Sequence, residues 1–337
     1  MTAQTIAVTG GSGFIGRELV KLLAGRGLRV RVLSSGSRGR PALLPEGCEV
    51  MRGDLLASDS APLMRLLDGA DTLFHLAGLV SREPGDRKRM MDLHLTGTRR
   101  LLESAKHSKV RRVVLLSTSG TVGVSRDAGV VADDESPYAL DPALRWPYYA
   151  SKIFQEKLAF AWARENGCEL VALRPSLTLG PGDQDGSSTG DVKRFLFGRV
   201  PAIPTGGLSF VDVRDVAAAC LLALEVDLAT PQRSYLLGSA NMSFQEFLRE
   251  LERLSGRSAP RRSVPASVSV GAARVWQLAG AAGQRLLELD VESADMANHF
   301  WYIDSSRAQN ELGWQPRDPE ITLRDTIEFL RETGAAG

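Results

Sequence analysis

The sequence predicts an α/β fold, a doubly wound parallel sheet followed by a smaller, mainly helical lobe. Three observations carry this. Short apolar runs rich in β-branched residues alternate with helical stretches as far as Leu173; strands separated by helices pair in parallel, with helices on both faces. The first run opens into a glycine turn, Gly10-Gly11-Ser12-Gly13-Phe14-Ile15-Gly16, and then into a helix. After Gly238 the pattern becomes mainly helical, over 243–254, 268–289 and 323–331.

Residues 5–9, Thr-Ile-Ala-Val-Thr, read as a buried parallel strand, and 17–24 carry apolar residues at helical spacing. Strand, glycine turn and helix in that order let backbone approach a pyrophosphate seated on the helix N-terminus. A second strand covers 29–33. A carboxylate at its end would hold the adenosine ribose of NAD, but the chain has Ser34, Ser35 and, a little further on, Arg38. Hydroxyls and a guanidinium suit a 2′-phosphate, so NADP is the expected cofactor and NAD the alternative. A flexible polar loop is the other reading of the same residues.

A third strand at 48–52 leads into Gly53-Asp54-Leu55, with Asp54 placed to meet the adenine edge. A helix at 62–67 precedes a strand at 71–75, which ends in Ala77 and Gly78; small residues there leave room for a ligand in the crevice. His75, on that apolar strand, reads as a satisfied core histidine. A long helix is expected over 90–106, then a strand over 112–116 ending in Ser117-Thr118-Ser119-Gly120-Thr121. Tyr148 and Lys152 are four apart, on one face if the segment is helical. An ammonium beside a phenol favours the phenolate and brings tyrosine into use as an acid or base. The bland reading is the first turn of an amphipathic helix.

The bulk properties narrow the class. The chain has 337 residues, 43% hydrophobic and 24% charged, with net charge +1, which gives no footprint for nucleic acid or a membrane surface. Cys48, Cys168 and Cys220 are scattered, as structural thiols in a reducing compartment are. The four histidines lack metal-ligand spacing, and no metal is expected. Met1 runs almost directly into the first strand, so a cytoplasmic protein is expected. The apolar stretch 268–289 is broken by Arg274, Gln277, Gln284 and Arg285 and does not read as a membrane span.

These motifs, with Leu173-Arg174-Pro175, Gly180-Pro181-Gly182-Asp183, Phe210-Val211-Asp212-Val213-Arg214-Asp215 and Leu312-Gly313-Trp314, occur in order. Together they resemble the extended short-chain dehydrogenase/reductase superfamily, the NAD-dependent epimerase/dehydratase group, over essentially the whole chain. The resemblance implies a Rossmann domain from 1–174 and 212–237, with a substrate lobe from 175–211 and 238–337. It makes Tyr148 the general acid/base, Lys152 the ligand of the nicotinamide ribose and Ser119 the hydroxyl that meets the substrate oxygen, with Thr118 and Thr121 as neighbours able to share that role. Tyr149 is the rival tyrosine, but its spacing to Lys152 is three. The resemblance places the cofactor against Gly10, Gly13, Phe14, Ile15, Gly16, Asp54, Leu55, Ala77, Gly78, Ser117 and Pro175. His94 stands where the family often has asparagine, either as a hydrogen-bonding replacement or simply packed on the sheet.

Within the superfamily the chain departs from the sugar-nucleotide enzymes. Gly120-Thr121 occupies the place of the dehydratases' Asp-Glu pair, and Leu208-Ser209 that of the epimerases' arginine. A buried diphosphate needs cationic or amide partners. The sequence therefore looks more like the dihydroflavonol-reductase and 3β-hydroxysteroid-dehydrogenase branch, which implies a hydride transfer between nicotinamide and a ketone or secondary alcohol on an apolar small molecule. Sugar-nucleotide epimerase is the alternative, and a cofactor-binding regulator the remote one, disfavoured by the intact Ser119, Tyr148 and Lys152. Trp146, Phe195, Met296 and Trp301 are candidates for the pocket wall or ordinary core, and 127–145 for the substrate mouth. The assembly is left open to a homodimer.

Overall fold

The structure is a computed structural model; it describes residues 4–36, 44–264, 271 and 291–334. Arg38 and the helix expected over 268–289 lie outside the described residues. Seven strands, β1 (Thr5–Thr9), β2 (Arg29–Ser34), β3 (Glu49–Arg52), β4 (Thr72–His75), β5 (Arg112–Leu116), β6 (Glu169–Pro175) and β9 (Gln232–Leu237), form the main sheet in the order β3-β2-β1-β4-β5-β6-β9. Every pairing in it is parallel. The strand order reverses on the two sides of β1, and the crevice at the carboxyl ends of β1 and β4 is the topological switch point.

The sheet separates two apolar layers. On one face, α1 (Phe14–Gly25) and α8 (Val213–Glu225) bring Leu19, Val20, Val216 and Cys220 onto the strands. On the other, α2 (Ala61–Leu67), α4 (Thr98–Ala105) and α6 (Pro147–Asn166) contribute Leu63, Leu66, Leu101 and Ala159. Central strands such as β1 and β4 are buried at every residue, as a sheet covered on both faces requires.

A second sheet of three strands, β7 (Leu177–Leu179), β8 (Gly207–Asp212) and β10 (Ala240–Ser243), stands after β6 in the order β10-β8-β7. It has its own core, in which Leu179, Phe210, Phe247 and Leu323 meet α9 (Phe244–Ser255) and the helix Pro319–Glu332. A capping box starts α9: the Ser243 hydroxyl accepts from Glu246 N while the Glu246 carboxylate accepts from Ser243 N.

The segment expected as one helix over 90–106 is divided. A short helix α3 (Arg87–Met91) passes into a π-helical stretch, Asp92–Gly97, before α4 begins. The wider turn carries His94 into the interior, where its ring has two partners; such bulges recur where a helix must aim one side chain. Among the described residues no helix is long and apolar enough to cross a membrane.

Candidate active site

The loop from β1 into α1 needs its glycines. Gly10 has φ +73°, and a Cβ on it would lie 2.5 Å from Ala77 N. A Cβ on Gly16 would lie 2.1 Å from Gly10 O. Gly13 is the N-cap of α1, which has no side-chain cap and no acidic residue in its first turn. Among the described residues that turn thus has no side-chain cap on its N–H groups, as an anion site requires. This close-packed, positively poled cradle fits the pyrophosphate of a dinucleotide, with Phe14, Ile15 and Gly16 on the cavity wall.

One cavity of about 890 Å³ opens from this cradle across the carboxyl ends of the strands. Gly78, His94, Ser117, Thr118, Ser119, Tyr148, Lys152 and Pro175 all line it. The structure thus brings the nicotinamide-side candidates together. The adenine-side candidates lie elsewhere on the sheet edge. Ser34 ends β2, its Oγ accepting from Gly36 N at 3.3 Å, and Ser35 is exposed beside it. Asp54 accepts from Leu56 N at 2.9 Å, Leu55 is buried below it, and Ala77 N donates to Thr9 Oγ1 at 3.4 Å.

Tyr148 and Lys152 occupy the first turns of α6, where Pro147 sits in the opening turn. Burial raises the Tyr148 phenol above its ordinary value, Tyr149 adds to this, and a hydrogen bond with the Thr118 side chain opposes it. The phenol is therefore protonated at neutral pH. Lys152 is drawn the other way: its Nζ donates to Leu116 O at 2.7 Å and to Gln155 Oε1 at 2.8 Å. Burial lowers its pKa to about 8, with Glu156 acting against the fall. The expectation that Lys152 brings the tyrosine down is thus answered by burial acting on both groups.

Of the three candidate hydroxyls, that of Thr118 touches Tyr148. Ser119 is buried on the same wall, and Thr121 Oγ1 donates to Thr118 O at 2.9 Å. Ser117 is committed: its Oγ donates to Glu156 Oε2 at 2.6 Å. Glu156 in turn receives Tyr138 OH at 3.2 Å and Arg174 Nε at 3.0 Å.

His94 is a hydrogen-bonding histidine. Its Nε2 accepts from Leu79 N at 3.1 Å, which leaves Nδ1 to carry the proton toward Ser151 Oγ at 2.7 Å. The Ser151 hydroxyl in turn donates a hydrogen bond to the backbone Tyr148 O at 2.6 Å, so the histidine braces the turn that holds the tyrosine. Burial, then Lys152 and His75, hold His94 well below its ordinary value and so neutral.

The rest of the lining includes the apolar Leu79, Ile203, Leu208, Phe247, Met296 and Trp301, together with the charged Arg82, Asp183, Asp191, Arg194, Arg262 and Glu292. Tyr149 stacks on Trp301 with ring centroids 4.9 Å apart. Two expected wall residues lie outside the cavity: Trp146 backs Trp301 at 5.3 Å and donates to Asp295 Oδ2 at 3.2 Å, and Phe195 belongs to the second core. Residues 127–145, expected at the mouth, contribute nothing to the wall. They are strapped down instead, with Ala132 N donating to Tyr302 O at 3.0 Å and Asp304 N to Ala132 O at 2.8 Å.

Two residues escaped the sequence reading. Arg52 ends β3 in register with Ser34, and a Cβ on Gly36 would lie 3.9 Å from its Nε. Its signal was the end of the neighbouring strand rather than of β2. Gln155, one turn beyond Lys152, had no motif to mark it.

A doubly wound sheet with a glycine cradle at its switch point, and a Tyr–Lys pair on the wall of the same crevice, defines a nicotinamide-dinucleotide-dependent enzyme of the extended short-chain dehydrogenase/reductase type. The chain belongs to the NAD dependent epimerase/dehydratase family, whose model matches residues 6–238. It is 32% identical over 335 residues to a putative dihydroflavonol 4-reductase of Synechocystis, covering 98% of this chain and 96% of that protein. It is 30% identical to sterol demethylase protein B of Methylococcus capsulatus, over 98% and 99% of the two chains. The UDP-glucose 4-epimerase of Thermotoga maritima shares the fold at TM-score 0.75 and 22% identity, over 98% of this chain and 99% of that one.

Proposed function

We propose that the protein reduces a ketone on an apolar small molecule to a secondary alcohol, with Tyr148 as the proton donor. The observation that carries this is a protonated, buried phenol beside Thr118 in a cavity whose lining includes Leu79, Ile203, Leu208, Phe247, Met296 and Trp301. A nicotinamide dinucleotide, when bound, supplies the hydride. Tyr148 gives its proton to the substrate oxygen, which Thr118 and Ser119 orient. Lys152 holds the cofactor ribose, and the apolar residues of the lining exclude water and seat the carbon skeleton.

The apolar members of the cavity lining, Leu79, Ile203, Phe247 and Met296 among them, support an apolar rather than a diphosphate substrate. Arg82 and Arg194 share one carboxylate, Asp191, at 3.5 and 3.7 Å, and Arg262 also lines the cavity. Ser209, at the position where an epimerase would grip its diphosphate, is buried on β8 with no hydrogen-bond partner for its Oγ among the described residues. The similarity to the dihydroflavonol reductase supports the same reading. For the cofactor we favour NADP, held at the 2′-phosphate by Ser34, Ser35, Arg38 and Arg52.

Tyr148→Phe tests the assignment. It should fold, bind the dinucleotide as wild type and lose about 10² to 10⁴ in turnover of a verified ketone. Unchanged turnover refutes the role of Tyr148. Tight calorimetric binding of UDP-sugars, with none for hydrophobic ketones, refutes the substrate class.

A further inference from the structure

A chain of buried hydrogen bonds runs from Lys152 to the end of β1. Lys152 Nζ donates to Gln155 Oε1 at 2.8 Å, and Gln155 Nε2 donates to Thr98 Oγ1, also at 2.8 Å. Thr98 Oγ1 lies 2.8 Å from His75 Nε2, and His75 Nδ1 lies 2.7 Å from Thr9 Oγ1. Thr9 is the residue before Gly10, and it also receives Ala77 N. All five side chains, on β1, β4, α4 and α6, are buried, none more than 5% exposed.

The directions of these bonds are fixed by chemistry. An ammonium only donates, so the glutamine must present its oxygen to Lys152 and its NH₂ to Thr98. Thr98 then accepts from the amide and has its single proton for His75 Nε2. His75 is left with its proton on Nδ1, directed at Thr9. This requires a neutral imidazole, and burial, with Lys152 second, lowers the His75 pKa to about 3.

We propose that Gln155 is a positioning residue for Lys152: it fixes the ammonium with an uncharged acceptor and ties its orientation, through Thr98 and His75, to the strand end that carries the dinucleotide loop. Two of the three Nζ donors are used by Leu116 O and Gln155, which leaves one for the cavity that Lys152 lines. A neutral partner is the point of the arrangement. A carboxylate in the same place would hold the ammonium as well, but would cancel its field toward the cavity. The carboxylate that is present, Glu156, is turned away onto Arg174, Ser117 and Tyr138. The titratable groups that act on Lys152 or are acted on by it are His75 on β4, His94 on the π-helical stretch and Glu156 on its own helix. The two histidines are neutral, so a charge introduced at 155 acts on Lys152 directly.

The inference rests on Lys152 meeting the dinucleotide as in the proposed function, and the test uses no substrate, so that failure of the ketone reading leaves it unaffected. The full-length protein, labelled at lysine Nζ, is titrated by NMR as wild type, Gln155→Glu and Thr98→Val, and dinucleotide affinity is measured by calorimetry across the same pH range. Gln155→Glu should raise the Lys152 titration by about one to two units, and the pH dependence of affinity should move with it. Thr98→Val, which leaves the amide unanchored, should weaken dinucleotide binding by roughly threefold to tenfold with Lys152 still buried. Variants that melt at lower temperature but keep the wild-type lysine titration and affinity would reduce Gln155 to a buried polar group satisfied by its neighbours and overturn the proposal.

Discussion

Tyr149 lies against Gly120 so closely that a Cβ on the glycine would meet the tyrosine ring at 2.2 Å and Trp301 at 3.0 Å. Tyr149 and Gly120 are therefore one packing unit with Trp301. Gly120→Ala should push Tyr149 off Trp301 while leaving the dinucleotide cradle alone. Cofactor affinity should hold, and KM for an apolar ketone should rise about tenfold, a loss of 1–2 kcal/mol in the wall contact. Steady-state kinetics beside calorimetry separates the two. An unchanged KM means that the substrate never reaches this face.

The hydroxyl that meets the substrate oxygen can be decided by paired substitutions. The Thr118 side chain lowers the Tyr148 pKa against the effect of burial, whereas Ser119 holds the position the family pattern selects. Thr118→Val should cost about 10²-fold in kcat and Ser119→Ala less, since only the first removes a side chain that lowers the pKa of the acid. The reverse order of losses places the substrate oxygen on Ser119.

Arg52 and Ser34 end adjacent parallel strands in register. If they hold a 2′-phosphate, Arg52→Ala should weaken NADPH binding by about tenfold to a hundredfold, the worth of one charge-assisted bond, and leave NADH nearly untouched. Arg38→Ala serves as the companion variant. Equal losses for both dinucleotides, or none, assign the phosphate-side preference elsewhere.

Asp134 is buried 3.9 Å from Arg174 Nη1, and among the described residues neither carboxylate oxygen has a hydrogen-bond partner of good geometry. Burial raises its pKa to about 7 despite Arg174 and Arg307. The folded chain thus keeps a proton that the unfolded chain loses near pH 4. That stabilising contribution is complete below pH 4 and is lost as pH rises through about 7. Asp134→Asn, neutral at every pH, should melt several degrees higher than wild type at pH 8, with the gain shrinking toward pH 5. Melting curves at the two pH values check it. A pH-independent difference means that the Arg174 pairing outweighs the burial.

Much of the site was legible because it is written locally. The glycine cradle depends on residues within one turn of each other, and Tyr148 and Lys152 are joined by helical spacing alone. The alternation of strands and helices likewise specified a parallel sheet before any contact was known. What the sequence left open depends on residues far apart in the chain. Arg52 becomes a neighbour of Ser34 only through the β2–β3 register, and Gln155 a partner of Thr98 only when α4 and α6 share one face of the sheet. The division of the helix over 90–106 is of the same kind, since the π turn serves to bring His94 onto Leu79 and Ser151. Residues 127–145 read as a polar mouth by composition, yet Asp134 is buried against Arg174. The sequence by itself determined the fold, the cradle and the Tyr–Lys pair, because backbone geometry and helical period act over a few residues. Only the tertiary structure decided what holds the lysine, what His94 bonds and which residues line the cavity, because burial and long-range hydrogen bonds exist only once the sheets have closed on their helices.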